Sequence, residues 1–269
     1  MRPTAVALFV CVIVAQSLAA ETLFPTPIHL TRQVADPISG KTTVIEEYGY
    51  GNRLVAVAGA RTSIADYEKG ELTEIDRDAA TYSITPFETI AKTARQYGPP
   101  VAARTAEGDA PAAARSQGMR TTKSGRPAEI FAIEIDGADL DQTIELAVDR
   151  STPLSREALE VLLGAAYPGV RRPEHDAILA AAAPERIAAG SAAKASAPAW
   201  GLPLEQITTI EMDGQTIEIR VSVLRVGQEP PPPDLVMIPA GARLVVSRLA
   251  AVNQALEDVD RVVPPPPLP

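Results

Sequence analysis

QTIEIRVSVLRVG, residues 215–227, alternates along its length: Ile217, Ile219, Val221 and Val223 fall on one side, and Glu218, Arg220 and Ser222 on the other. Successive side chains of a strand point to opposite faces, so this pattern predicts a strand with one apolar and one wet face. The preceding Asp213-Gly214 is a favoured hairpin dipeptide, which pairs 204–213 with 215–226. The question this raises is what covers the apolar face.

Outward from this hairpin, the same alternation recurs. Residues 128–136 carry Phe131, Ile133 and Ile135 on one side, and 142–149 carry Ile144, Leu146 and Val148. Residues 26–85 read as an antiparallel meander, with segments 41–49, 53–58, 61–67, 71–76 and 80–84 rich in Thr, Val, Ile and Tyr. Asp36-Pro37-Ile38-Ser39-Gly40, Gly51-Asn52, Gly59 and Glu68-Lys69-Gly70 supply the turns. Inward-facing candidates there are Leu54 or, in the other register, Val55 and Val57, together with Ile64, Tyr82 and Ile84.

Helices are predicted in fewer places. Thr85-Pro86-Phe87-Glu88 has the spacing of a capping box with Pro at the first helical position, and opens a helix running to about Tyr97. Further helices are expected over 155–166 and 174–188, and a last one over 242–258 with Leu244, Val245, Leu249, Val252 and Leu256 along one side. Pro230 to Pro233 form an extended spacer before a short strand at 234–239. Residues 101–127 and 189–199, dominated by small and polar residues, read as mobile insertions, and 259–269 as a disordered proline-rich tail. With no βαβ pattern, the fold class is α+β: a mostly antiparallel curved sheet flanked by several helices.

The residues that carry chemistry are sparse. The two histidines, His29 in the first strand and His175 near a helix start, belong to no metal-binding motif. GSAAK at 190–194 is a Ser-x-x-Lys spacing without partner motifs, and there is no G-x-S-x-G elbow. DGADLD at 136–141 clusters hard oxygens but lacks the EF-hand spacing. GYGNRL precedes a strand, so it lacks the helix N-terminus of a phosphate loop. The reading is non-enzymatic, with no cofactor and no metal.

Residues 1–19 form one unit and 20–258 a single domain. Arg2, the apolar run Ala5–Ala15 and the small residues Ser17 and Ala19 read as an export signal, with the product periplasmic or extracellular. The single cysteine, Cys11, lies inside that segment, so the mature chain has no thiol chemistry. Loss of Arg2 moves the formal charge from −9 to −10. An acidic chain without a basic block is poorly suited to nucleic acid. No later apolar run is long enough to span a bilayer.

Two blocks, TRQVADPISGKTTVIEEYGYGNRLVAV with DYEKGELTEIDRDAATYSI, and WGLPLEQITTIEMDGQTIEIRVSVLRVGQEPPPPDLVMIPAGARLV, resemble LolA/LppX-like bacterial envelope proteins over about residues 28–90 and 200–245. The resemblance implies a half-barrel closed by helices and an apolar cavity for an acyl chain, a lipid or a lipidated protein. Its lining would be Val55, Val57, Ile64, Tyr82, Phe131, Ile133, Ile135, Leu146, Val148, Ile217, Ile219, Val221 and Val223. The alternative is an envelope interaction module with a self-filled core and no ligand.

Overall fold

The structure, a computed structural model, describes residues 22–37, 39–97, 114–135, 141–164, 173–184, 199–212 and 214–247. The first half is a meander of β1 (Phe24–Ala35), β2 (Thr42–Gly51), β3 (Arg53–Ala58), β4 (Arg61–Asp66), β5 (Glu71–Asp76) and β6 (Thr81–Pro86). Helix α1 (Phe87–Tyr97) follows, then β7 (Arg115–Thr121), β8 (Pro127–Ile135) and β9 (Asp141–Leu154). Helices α2 (Arg156–Leu163) and α3 (Pro173–Ala182) precede the hairpin β10 (Trp200–Met212) and β11 (Gln215–Gly227). The chain ends its described course in α4 (Pro233–Val236) and β12 (Arg243–Leu244).

All twelve strands belong to one sheet, in the order β12-β6-β5-β4-β3-β2-β1-β11-β10-β9-β8-β7. Two meanders thus lie side by side, joined where β1 pairs antiparallel with β11. Only β12 is parallel to its neighbour, β6. Because β7 and β12 stand at opposite ends, the sheet is open.

This corrects the expected α+β half-barrel closed by several helices. The chain is mostly strand, and its helices are minor. One reason is strand length: β1, β9, β10 and β11 run 12 to 14 residues, several longer than their alternating cores suggested. Another is the C-terminal stretch. Residues 234–236 lie in a helical turn rather than a strand, and 243–244, expected to be helical, form β12. The rest of the expected 242–258 helix from residue 248 on lies outside the described residues, as do the signal segment, 189–198 and the 259–269 tail. Residues 115–121, inside the expected insertion 101–127, form the edge strand β7.

The turns follow the glycine chemistry. Gly59 and Gly70 take φ of 60° and 68°, open to glycine without a Cβ penalty, and each closes a hairpin of the meander. The Thr85 capping box is absent: β6 continues through Pro86, and the Thr85 hydroxyl is buried without a hydrogen-bond partner. The Phe87 amide donates instead to the Gly70 carbonyl at 2.8 Å. At α2, Ser155 caps as its type predicts, its Oγ accepting from the Ala158 amide at 3.0 Å.

Cross-strand rows show how the sheet is filled. Ile28, Gly49, Leu54, Ala65, Leu72 and Thr85 lie side by side across β1–β6 and are all buried. They form the floor of a first core, joined by Leu30, Val223, Leu202, Ile130, Ile90 of α1 and Val161 of α2. Gly49 is needed in this row, since a Cβ there would stand 2.7 Å from the Phe24 ring. A second core packs Phe131, Ile133, Ile144, Leu146 and Val148 against Leu159 of α2 and Ile178 and Ala182 of α3. Strand β8 therefore gives Ala128 and Ile130 to one core and Phe131 and Ile133 to the other, so both of its faces are covered.

Candidate functional site

The residues expected to line a single cavity fall into three places. Phe131, Ile133, Leu146 and Val148 are in the second core, with Ile135 packed at its margin. The row Ile219, Thr208, Ile144, Ile133 and the row Val221, Gln206, Leu146, Phe131 put Ile219 and Val221 on that same side. Ile217 follows through Ile210, Gln142 and Ile135. All three are only half-buried. Val223 belongs to the first core; it pairs with Arg32, just before the β1–β11 register shifts at Leu224.

Val55, Val57, Ile64 and Tyr82 occupy neither core. They lie on the opposite face of the meander, in the rows His29-Tyr48-Val55-Ile64-Thr73-Ile84 and Thr31-Glu46-Val57-Thr62-Ile75-Tyr82-Leu244. Leu54 and Val55 are both buried, so neither register choice alone describes β3.

That face is crossed by residues 228–242. The Glu229 carboxylate reaches the His29 ring, α4 packs on β4, and the Arg77 guanidinium donates to the Asp234 and Leu235 carbonyls at 2.7 and 3.0 Å. The segment then comes down beside β6 as β12. Cover is uneven: Val55 and Ile75 are buried and Val57 and Ile64 half-buried, whereas at the rim Ile84 is 44% and Leu244 64% exposed. Met237 and Ile238, between α4 and β12, and Val246, just after β12, are exposed as well.

His29 anchors the start of the crossing. It is buried and stacks on Tyr48 with ring centroids 4.2 Å apart. Its Nε2 lies 2.6 Å from Glu46 and its Nδ1 3.3 Å from Glu229. Thr31 donates to the same Glu46 oxygen, and Arg225 holds the other oxygen of Glu229. Both ring nitrogens thus lie against carboxylate oxygens, one from the neighbouring strand and one from the crossing segment. The arrangement is a clasp. The Glu229 carboxyl is held below the usual range by its own backbone amide and by the His29 and Arg225 contacts. His175, the other histidine, sits in the first turn of α3.

A second charged group escaped sequence reading. Arg126 donates to Asp149 at 2.8 Å and to Ser151 and Thr152, and those two hydroxyls bond Asp149 in turn. Burial pushes the Asp149 carboxyl up; the hydrogen bonds from Ser151 and Thr152 and the Arg126 charge outweigh it, leaving the group below its ordinary value. Asp149-Arg150-Ser151-Thr152 is a polar end to an apolar strand, a visible signal, but its partner Arg126 comes from the turn before β8. Arg150 caps α3 by donating to the carbonyls of Ala181, Ala182 and Ala183.

On the first-core side of the β4–β6 rim, Arg61, Asp76 and Thr81 line up beside Ser63, Glu74 and Ser83. With Val245 to Ser247 as its wall, this row floors an open cleft of about 280 Å³. Among the described residues no group of three or more His, Cys, Asp or Glu side chains is placed to hold a metal ion. Among the same residues no helix is long and apolar enough to cross a membrane.

No protein-family model and no curated protein matches the chain. Among solved structures, one of PNGF-II in a C2 space group is similar over 86% of this chain and 33% of its own, at 8% identity and a TM-score of 0.37. The chain spans about a third of that structure's length, and a likeness this remote bears on neither fold nor function.

Proposed function

We propose that the chain is an exported, non-enzymatic interaction module whose apolar sheet surfaces are filled by its own helices and crossing segment, and which engages its partner at the exposed rim. The observation that carries this reading is the second core. Ile133 and Leu146, from the expected lining, and their neighbour Ile144 pack against Leu159, Ile178 and Ala182, all at most 1% exposed. A carrier needs that volume for its cargo, at about 0.8 kcal/mol for each methylene buried. Here protein side chains occupy it.

Two further features support a binding rather than a catalytic role. His29, the histidine in the sheet, has both nitrogens committed to carboxylates. Among the described residues, exposed apolar residues occur at Val44, Met119 and Leu224, and six more fall in β6, in β12 and in the residues on either side of β12. Export rests on the first nineteen residues, with a mature chain beginning at Ala20.

Organic extraction of the purified protein followed by lipid mass spectrometry tests the reading. The expected result is no lipid at stoichiometric yield. One acyl lipid per chain, recovered reproducibly, would replace the module with the carrier of lipids or lipidated proteins that the resemblance to LolA/LppX-like proteins implies.

A further inference from the structure

The rim presents more than apolar side chains. In β12, the Arg243 amide donates to the Ala80 carbonyl at 2.9 Å and the Val245 amide to the Tyr82 carbonyl at 2.8 Å. Alternate residues of a strand turn their backbone groups to opposite sides, so Leu244 directs its N–H and C=O away from β6, along the edge that no other described strand covers. An edge of this kind is a template for another strand, and natural proteins commonly blunt it with charge or proline. This one carries Leu244, Val245 and Val246, 64%, 41% and 66% exposed.

We infer that the free edge of β12 and β6 binds an extended peptide segment of a partner protein by adding it as a thirteenth strand next to the twelve of the sheet. The backbone chemistry selects the occupant. Outward-facing N–H and C=O groups are satisfied in register by an extended chain, and not by a hydrocarbon or a packed helix face. The two sides of the edge set its sequence. Leu244 shares the row of Tyr82 on the crossed face, the face that also carries exposed Ile84, and exposed Val246 follows it in the chain. Arg243, exposed, shares the row of Thr81 on the other side. The partner segment therefore alternates, with aliphatic residues against Leu244 and Val246 and a carboxylate toward Arg243.

This inference rests on reading the chain as a module with a filled core, and its test is separate from lipid extraction. The probe is the fluorophore-labelled peptide acetyl-TVDVTVK-amide, titrated with the full mature chain and followed by anisotropy. Saturable binding is expected. N-methylation of the peptide amides on one edge, which leaves the protein untouched, is expected to weaken it by about tenfold or more when those amides face β12, while methylation on the other edge is tolerated. Leu244→Pro removes the outward donor and spares both inward bonds of β12, so it is expected to weaken binding similarly. Leu244→Asp with Val246→Asp acts through the side chains and gives the same loss if the proline variant folds poorly. Absence of saturable binding, or equal affinity for both methylated peptides, overturns the inference. So does a concentration-dependent dimer of the free chain that Leu244→Pro abolishes without any peptide binding, because the edge then belongs to a second copy. Stoichiometric lipid in the extraction removes the module reading whatever the peptide does.

Discussion

Asp149 is 1% exposed, yet its carboxyl is held below the ordinary carboxylate value, because four donor groups from Arg126, Ser151 and Thr152 converge on it. Its sign in the pH dependence follows. A carboxyl whose folded value lies below its unfolded one adds stability above the unfolded value, and loses it as pH falls through the folded one. Asp149→Asn is expected to cost about 2 kcal/mol at neutral pH, since it leaves the Arg126 guanidinium without its counter-ion. The variant's stability should also fall less steeply than the parent's at acid pH. Urea melts between neutral and acid pH check both statements, and parallel curves for parent and variant would mean that Asp149 titrates as it does in the unfolded chain. At this scale sequence was a partial guide. The types at 149–152 flag a polar strand end, but nothing near them in sequence announces Arg126, 23 residues earlier. His29 is similar: its partners Glu46 and Glu229 come from a neighbouring strand and from the far end of the chain.

At the scale of elements, strands were legible and their coverage was not. The alternation at 215–227, 128–136 and 142–149 found β11, β8 and β9, and glycine turns found the meander. The alternation also suggested that each strand has one dry face. That fails at β3 and β8, where the second face is covered by the crossing segment or by helices α2 and α3. Short helices here draw their stability from packing rather than propensity. Helix α2 is eight residues long, and sends Leu159 into the second core and Ala158, Val161 and Leu162 into the first. Leu159→Ala is accordingly expected to cost about 3 kcal/mol, the removed methyl groups leaving a cavity between α2 and α3. Chemical denaturation measures it. A cost below about 1 kcal/mol would mean that this site is loosely packed and the second core less sealed than its burial implies.

For the whole molecule, the decisive contact is the seam between β1 and β11, where His29 lies opposite Gly227 and Val34 opposite Val221. It joins two meanders from opposite ends of the chain into one sheet and lets the first core run across both. Val223, fully buried in that core, ties the two halves. Val223→Ala is expected to lower stability by about 2 kcal/mol, and the parent is expected to unfold in one transition, with far-ultraviolet and near-ultraviolet circular dichroism coincident. Two separated transitions would show the meanders to be independent units. Folding should be slow, in milliseconds to seconds or longer, because the seam closes a loop of most of the chain.

Sequence by itself determined most of the strands and the glycine turns between them, because each of these depends on neighbours along the chain. Tertiary structure alone decided that the sheet stays open, that β3 and β8 are buried on both faces, and that exposed apolar residues are left at β12. Those outcomes depend on where residues 228–247 and the helices come to rest, and contacts between such distant segments leave no periodicity in either of the stretches they join.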